Sequence, residues 1–246
     1  FSNPLLTSLA AMAVSLAFGL ASGLALGIIH VKLKVPSFIA SLGFMSLWQS
    51  VALLITQNPE SVPKALWGTV EWYKIAFGVV GLPLIVAIAI ILFIHCVTRY
   101  TPSGRTIFAI GGNERTARVA GMGVDGTNIL GVSVEKVKIG VFTLAGFLFG
   151  VAGVIGAIRL GQGQIAIGDD KMFPAQAAVV VGGTSLAGGK GSELGTILGV
   201  FTVAIIENGM NFIGVNAYYQ NIVFGIFVLA AIALTVDRSI RGQIVK

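Results

Sequence analysis

Long uncharged runs alternate with short charged intervals along this chain, and the runs predict membrane-spanning helices. Leu5 to Ile29 carries no charge. Ser37 to Thr56 is a second run, less oily, with Trp48, Gln49 and Ser50 near its centre. Further runs extend from about Ile75 to Val97, Ile139 to Ile158, Leu194 to Ile213 and Tyr218 to Val236. Each is close to the roughly 20 residues a helix needs to cross the hydrocarbon core. Pro174 to Gly191 is different: its apolar part is short and Gly182-Gly183 interrupts it, which predicts a broken helix. Irregular backbone at membrane depth is tolerated only where protein or a water-lined cavity covers it.

The charged intervals set the expected topology. Suppose the broken segment counts as a crossing. Lys32 and Lys34, the interval 99–138, Lys190 and the tail with Arg238, Arg241 and Lys246 then share one side. Loops 57–74, 159–173 and 214–217 share the other, and Trp67, Trp72 and Tyr73 in the first of these suit an interfacial belt. Basic residues collect on the cytoplasmic side. The expectation is an all-α polytopic membrane protein with about seven crossings, forming one transmembrane domain over 1–246 with a cytoplasmic C-terminus. A re-entrant 174–191 segment would put the basic tail on the wrong side. The chain opens at Phe1 rather than Met, in a segment already leading into a span, so further N-terminal residues are expected to precede it.

Composition excludes several classes. Hydrophobic residues make up 55% and charged residues 11%, against about 25% charged in a soluble domain. The net charge of +6 lies at the ends of apolar runs, which accounts for it without nucleic acid. Cys96 is alone and only His30 and His95 accompany it, so neither a disulfide framework nor a metal site is expected. No nucleophile, base and metal ligands fall at a catalytic spacing, so catalytic residues are assigned to none and a membrane enzyme is the weakest option. Two nucleotide-like patterns fail. Gly161-Gln-Gly163-Gln-Ile-Ala166 follows a span rather than a strand, and Gly188-Gly-Lys190-Gly191 has Thr184 and Gly191 at key positions of a phosphate loop. Nucleotide energy, if used, enters through another chain.

Two positive signals remain. Gly19, Gly23 and Gly27 form a smooth stripe on the first span, suited to close helix approach and favoured as packing inside one subunit over a subunit interface. The interval Arg99 to Lys138 holds six basic and three acidic residues. Within it Asn113 can cap a short helix, Arg115 and Arg118 share a face of that helix, and Gly121 can end it. A polar, helix-capable segment held between spans suits a docking surface whose register is set by charge; a plain solvated loop is the alternative.

Three motifs tip that balance. Ile107-Phe-Ala-Ile-Gly111-Gly-Asn-Glu-Arg-Thr-Ala-Arg118-Val-Ala-Gly121-Met, Ala177-Ala-Val-Val-Val-Gly182-Gly-Thr-Ser-Leu-Ala-Gly-Gly-Lys190-Gly-Ser192 and Asn208-Gly-Met-Asn211-Phe-Ile-Gly214-Val occur in this order. Together they resemble the signature of the permease subunits of ribose-type monosaccharide ABC importers, over nearly the whole chain. The resemblance implies a subunit in a bacterial inner membrane, working with a second permease subunit, identical or not. Cytoplasmic ABC ATPase subunits would bind ATP and magnesium, leaving no cofactor in this chain. A periplasmic or lipid-anchored binding protein would deliver the solute. Gly111, Gly112, Asn113, Glu114, Arg115, Arg118 and Gly121 would then belong to the ATPase-coupling loop. Additional spans before the first one are also implied.

The chain departs from the family pattern in a longer 122–134 stretch, in Met-Phe-Pro-Ala-Gln176 where an acid is usual, and in Glu207 where an Asn-like residue is common. Gln49, Gln176, Thr184, Asn208 and Asn211 are uncharged hydrogen-bonding groups at apparent membrane depth and are nominated for the substrate path. Each could instead be satisfied between helices. Glu207 could touch solute or proton, with a structural hydrogen bond favoured. Rival readings are a nucleoside or branched-chain amino acid ABC permease, and an ion-coupled secondary transporter using Glu207.

Overall fold

The structure, a computed structural model, describes residues 4–61, 81–119, 133–165, 168–185 and 188–235. Among these residues the architecture is α-helical with one two-residue β-ladder. Two compact units are present: residues 1–93 with 118–167, and residues 94–117 with 168–246.

In the first unit, α1 (Pro4–Lys32) and α6 (Val134–Leu160) form the main packed pair. The reason is the glycine stripe. A Cβ on Gly19 would lie 2.5 Å from the Gly146 carbonyl oxygen, one on Gly23 would strike the Phe142 carbonyl, and one on Gly27 would lie 3.1 Å from Ile139 Cα. The stripe therefore packs within the subunit. In lipid, helices gain nothing by leaving apolar solvent, so close van der Waals approach between small residues supplies the association. Gly146 and Gly150 complete the seam from α6, against Gly19, Gly23, Ser15 and Leu16.

Helix α2 (Ser37–Ile55) joins the pair through an aromatic clamp. Trp48 Nε1 donates to Ser22 Oγ at 2.8 Å, and the Trp48 ring meets Phe18 edge-on at 4.6 Å between centroids. The turn between α1 and α2 is closed by His30 Nδ1 donating to the Val35 carbonyl at 2.7 Å. Beyond the helices, β1 (Glu60–Ser61) pairs antiparallel with β2 (Gln162–Gly163). The connections after α2 and after α6 therefore meet at one end, as the charge count requires.

The second unit contains the C-terminal end of α3 (Leu82–Tyr100) from Ile94 on, then α4 (Pro102–Gly112), a 3-10 turn (Asp169–Lys171), α7 (Met172–Val181), α8 (Glu193–Phe212) and α9 (Ala217–Thr235). The short helix α5 (Glu114–Val119) follows α4. The unit's core is Ala177 and Ala178 of α7, Val203 of α8 and Phe224 of α9, with Ile206, Met210 and Val228 against them. Gly199 makes the close packing possible, because any side chain there would strike the Ala178 carbonyl.

Among the described residues, five helices are long and apolar enough to cross a membrane: Leu6–Lys32, Ser37–Ile55, Pro83–Tyr100, Val134–Leu160 and Glu193–Phe212. Two shorter apolar helices, Met172–Val181 and Tyr218–Ala230, fall where the fifth and seventh segments in chain order were expected. Large apolar side chains face outward, Leu54 at 86% and Phe149 at 75% exposure. This is the pattern of a multi-pass protein whose solvent is lipid.

Three boundaries differ from the sequence reading. The interval 99–138 is not one loop: α3 continues to Tyr100, α4 and α5 are helical, and α6 already begins at Val134 behind a Ser133 cap. Thr101 caps α4, accepting from Gly104 N, with Pro102 in the first turn where its missing N–H costs nothing. The 174–191 segment is a helix from Met172 to Val181 that breaks at Gly182–Gly183, as expected, with its start two residues earlier. Ten helical residues reach about 15 Å, half of a ~30 Å core, so the loop after it must carry the chain onward.

The glycine stripe gives the first test. Gly23→Leu should lower the stability of the detergent-purified full-length protein by about 1–3 kcal/mol through overpacking. Gly140→Leu, on the same seam's helix but with nothing within 4 Å of its Cβ position, should leave the melting temperature nearly unchanged. Equal effects from the two substitutions would contradict the α1–α6 seam.

Candidate functional site

The elbow between α3 and α4 is built from threonines and a buried glycine. Gly104 abuts the Thr98 backbone so closely that no Cβ fits, which folds α4 back against the end of α3. Thr106 is buried and its Oγ1 donates to the Pro102 carbonyl at 2.9 Å. Thr98 Oγ1 reaches the start of α8 and donates to Glu193 Oε1, while His95 Nδ1 lies 3.3 Å from Glu193 Oε2. Glu193 sits in the first turn of α8, where a negative charge complements the helix dipole. Ser192 caps the same helix by accepting from Gly195 N at 3.0 Å.

The far end of α4 meets the loop between α7 and α8. A Cβ on Gly111 would lie 2.9 Å from Gly189 N, one on Gly188 would strike the Gly111 carbonyl, and one on Gly189 would strike Gly112 Cα. Gly188 and Gly189 both have positive φ, +94° and +72°, a conformation glycine adopts without penalty. Two glycine pairs from separate motifs therefore stack backbone on backbone.

The loop itself is closed by its own hydrogen bonds. Gly183, at φ +83°, turns the chain out of α7, and Thr184 N donates to the Val179 carbonyl at 3.2 Å. Ser185 N donates to the Lys190 carbonyl at 2.9 Å, and Gly188 N to the Ser185 carbonyl at 3.0 Å. Irregular backbone at membrane depth needs such internal partners.

The nominated docking segment has the expected cap. Asn113 Oδ1 accepts from Thr116 N at 3.1 Å, ahead of α5. That helix places positions 115 and 118 one turn apart, on a common face by register. Gly111 and Gly112 form the last turn of α4 and approach Gly188 and Gly189 of the same subunit. Gly121 and residues 122–132 lie outside the described residues.

The nominated path residues belong to several elements. Gln49 is exposed on α2 and Gln176 is exposed on α7. Thr184 is half-buried with its side chain over Gly191. Asn208 is exposed on α8 and its Nδ2 donates to the Ala204 carbonyl at 2.9 Å. Asn211 Oδ1 accepts from Gln220 Nε2 at 2.8 Å, and the same Gln220 nitrogen donates to the Val215 carbonyl. Gln220 is 8% exposed, so Asn211 helps satisfy a buried amide at the α8–α9 turn. Glu207 forms an ion pair with Lys171, a partner 36 residues away in sequence.

Thr98, Glu193, Lys171 and Gln220 escaped the sequence reading. The Ser192-Glu193 start of an apolar run was a helix-entry signature that could have drawn attention to Glu193. Nothing in sequence joined it to Thr98.

A comparison with known families matches residues 2–232 to the family described as branched-chain amino acid transport system / permease component. The ribose import permease protein RbsC of Escherichia coli (strain K12) is 37% identical over 230 residues, covering 92% of this chain and 68% of the relative. RbsC of Bacillus subtilis (strain 168) is 34% identical over 214 residues, covering 87% and 63%. The xylose transport system permease protein XylH of Escherichia coli (strain K12) is 41% identical over 132 residues, covering 54% and 31%. The chain spans 61% to 68% of the length of the relatives matched over most of it. No solved structure gives a significant match. Matched along nearly its whole length and built of bilayer-length helices, this chain belongs to the branched-chain amino acid transport system / permease component family.

Proposed function

We propose that this chain is the membrane-spanning subunit of an ATP-driven importer of a monosaccharide, with a pentose as the first candidate. The observation that carries the proposal is the α4–α5 segment. It presents a capped helix with two arginine positions on one face, and its base rests on the loop that leads into α8. The identity to RbsC and XylH supplies the solute class, since those proteins are named for ribose and xylose.

In this reading the α4–α5 segment lies on the cytoplasmic side of a bacterial inner membrane, as does the C-terminus. An ABC ATPase pair binds ATP and Mg2+ and docks on the arginine face of α5. Closure of that pair moves the segment as a rigid body and rocks the spans between outward- and inward-open states. A solute-binding protein delivers the sugar on the opposite side, and a second permease subunit completes the path. The chain itself performs no covalent chemistry. Gln176 and Asn208, exposed amides on α7 and α8, suit a hydroxyl-rich solute better than Asn211, whose side chain is engaged with Gln220.

Two measurements test this. Full-length tagged protein purified from its native membrane should bring down an ABC ATPase, and Arg115→Glu with Arg118→Glu should reduce that recovery by about tenfold or more through like-charge contact. Undiminished recovery would remove α5 as the docking face. Glu207→Gln addresses the secondary-transport alternative. A partly exposed ion pair is worth up to ~1 kcal/mol, so the variant should keep sugar uptake within about fivefold of the parent. Abolished uptake at normal protein abundance would favour Glu207 as an ion-coupling acid.

A further inference from the structure

We infer that the glycine seat formed by Gly111–Gly112 on Gly188–Gly189 is where load passes from the docking segment into the membrane spans, and that Thr98–Glu193 is its second anchor. The inference rests on the importer reading above and adds the contact through which movement travels. Gly111 is then a positioning residue acting inside the subunit.

The argument is mechanical. Docked helices that meet through long side chains can absorb a small displacement by changing rotamers. At this seat the nearest atoms are backbone atoms on both sides: Gly111 faces Gly189 N, Gly188 faces the Gly111 carbonyl, and Gly189 faces Gly112 Cα. With backbone as the nearest neighbour on both sides, a shift of the α4 C-terminus is transmitted to the loop. Packed backbone of this kind is not continuously deformable. The described residues of the loop are also tied to one another, through the Ser185–Lys190 and Gly188–Ser185 bonds.

From Gly189 the path to α8 is short. Lys190, Gly191 and the capping Ser192 lead directly into the first turn of the helix. That same turn is gripped from the other end of the elbow, where Thr98 and His95 of α3 meet Glu193. The α3–α4 elbow thus holds the entry of α8 at two points, one steric and one polar. Two attachments fix orientation as well as position, so a push at α5 should tilt the start of α8 together with the loop. The loop is the irregular continuation of α7, the segment whose backbone leaves helical geometry at Gly182–Gly183. Movement delivered there changes the covering of the broken span that begins with α7.

The test uses the full-length permease assembled with its ATPase and binding protein in proteoliposomes, reading sugar imported per ATP hydrolysed. Gly111→Ala forces a Cβ against Gly189. It should leave ATPase recovery and basal hydrolysis intact and lower sugar per ATP by about tenfold, a coupling loss of ordinary allosteric size. Gly225→Ala on α9, where nothing lies within 4 Å, should keep the parent ratio. If Gly111→Ala fails to accumulate, Thr98→Val takes its place, since it removes the anchor's hydroxyl without added bulk and should also lower the ratio. A parent-like ratio in the accumulating variant would overturn the seat as a relay while leaving the importer reading intact. An equal fall of docking, hydrolysis and import would assign the seat a merely structural role. A parent assembly that hydrolyses no ATP would remove the importer reading and the relay together.

Discussion

Close approach of backbone to backbone, possible only where side chains are absent, is the constraint on which this structure depends. In lipid the hydrophobic effect does not drive helices together, and contact must come from van der Waals fit. The chain meets this requirement with glycine at the α1–α6 and α7–α8 seams. Gly19, Gly23 and Gly27 meet Gly146, Phe142 and Ile139 in the first unit. Gly182 meets Gly195, and Gly199 meets the Ala178 carbonyl, in the second. The chain's 33 glycines are therefore compatible with a well-packed helical protein, although glycine weakens an isolated helix by about 1 kcal/mol per residue.

The same device serves a different end at the α4 terminus. There a glycine pair from the polar interval meets a glycine pair from the broken span, with positive φ at Gly188 and Gly189. Polar side chains add the second tie, through Glu193 at the head of α8. On the proposed function, this places the ATPase contact and the irregular part of the membrane path within a few residues of each other. The ion pair Lys171–Glu207 and the buried Gln220 amide belong to another task. They fasten polar groups within the second unit that would otherwise be costly at membrane depth.

Much of the architecture was legible in the sequence because charges are scarce and clustered. The apolar runs gave the spans, and the parity of charged loops anticipated the meeting of β1 and β2. Asn113 was legible as a cap because its chemistry is local. The α4 helix was missed although Thr101-Pro102 is a helix start, because its apolar residues are few and two glycines close it. Val134 begins α6 because Ser133 caps it and Glu135, Lys136 and Lys138 can extend along an emerging helix. The role of Gly111 was least legible of all. A glycine records that space is needed and not which backbone fills it, and its neighbour lies almost eighty residues on in the chain. Thr98 and Glu193 pose the same difficulty, with 95 residues between them.

The most direct test of the central claim is energy coupling in a defined membrane. Full-length permease, reconstituted with its co-purifying ATPase and binding protein, would be supplied with labelled ribose and xylose. The account predicts accumulation of a pentose that requires ATP on the cytoplasmic face and persists when proton and sodium gradients are dissipated. Accumulation driven by an ion gradient without ATP would contradict it.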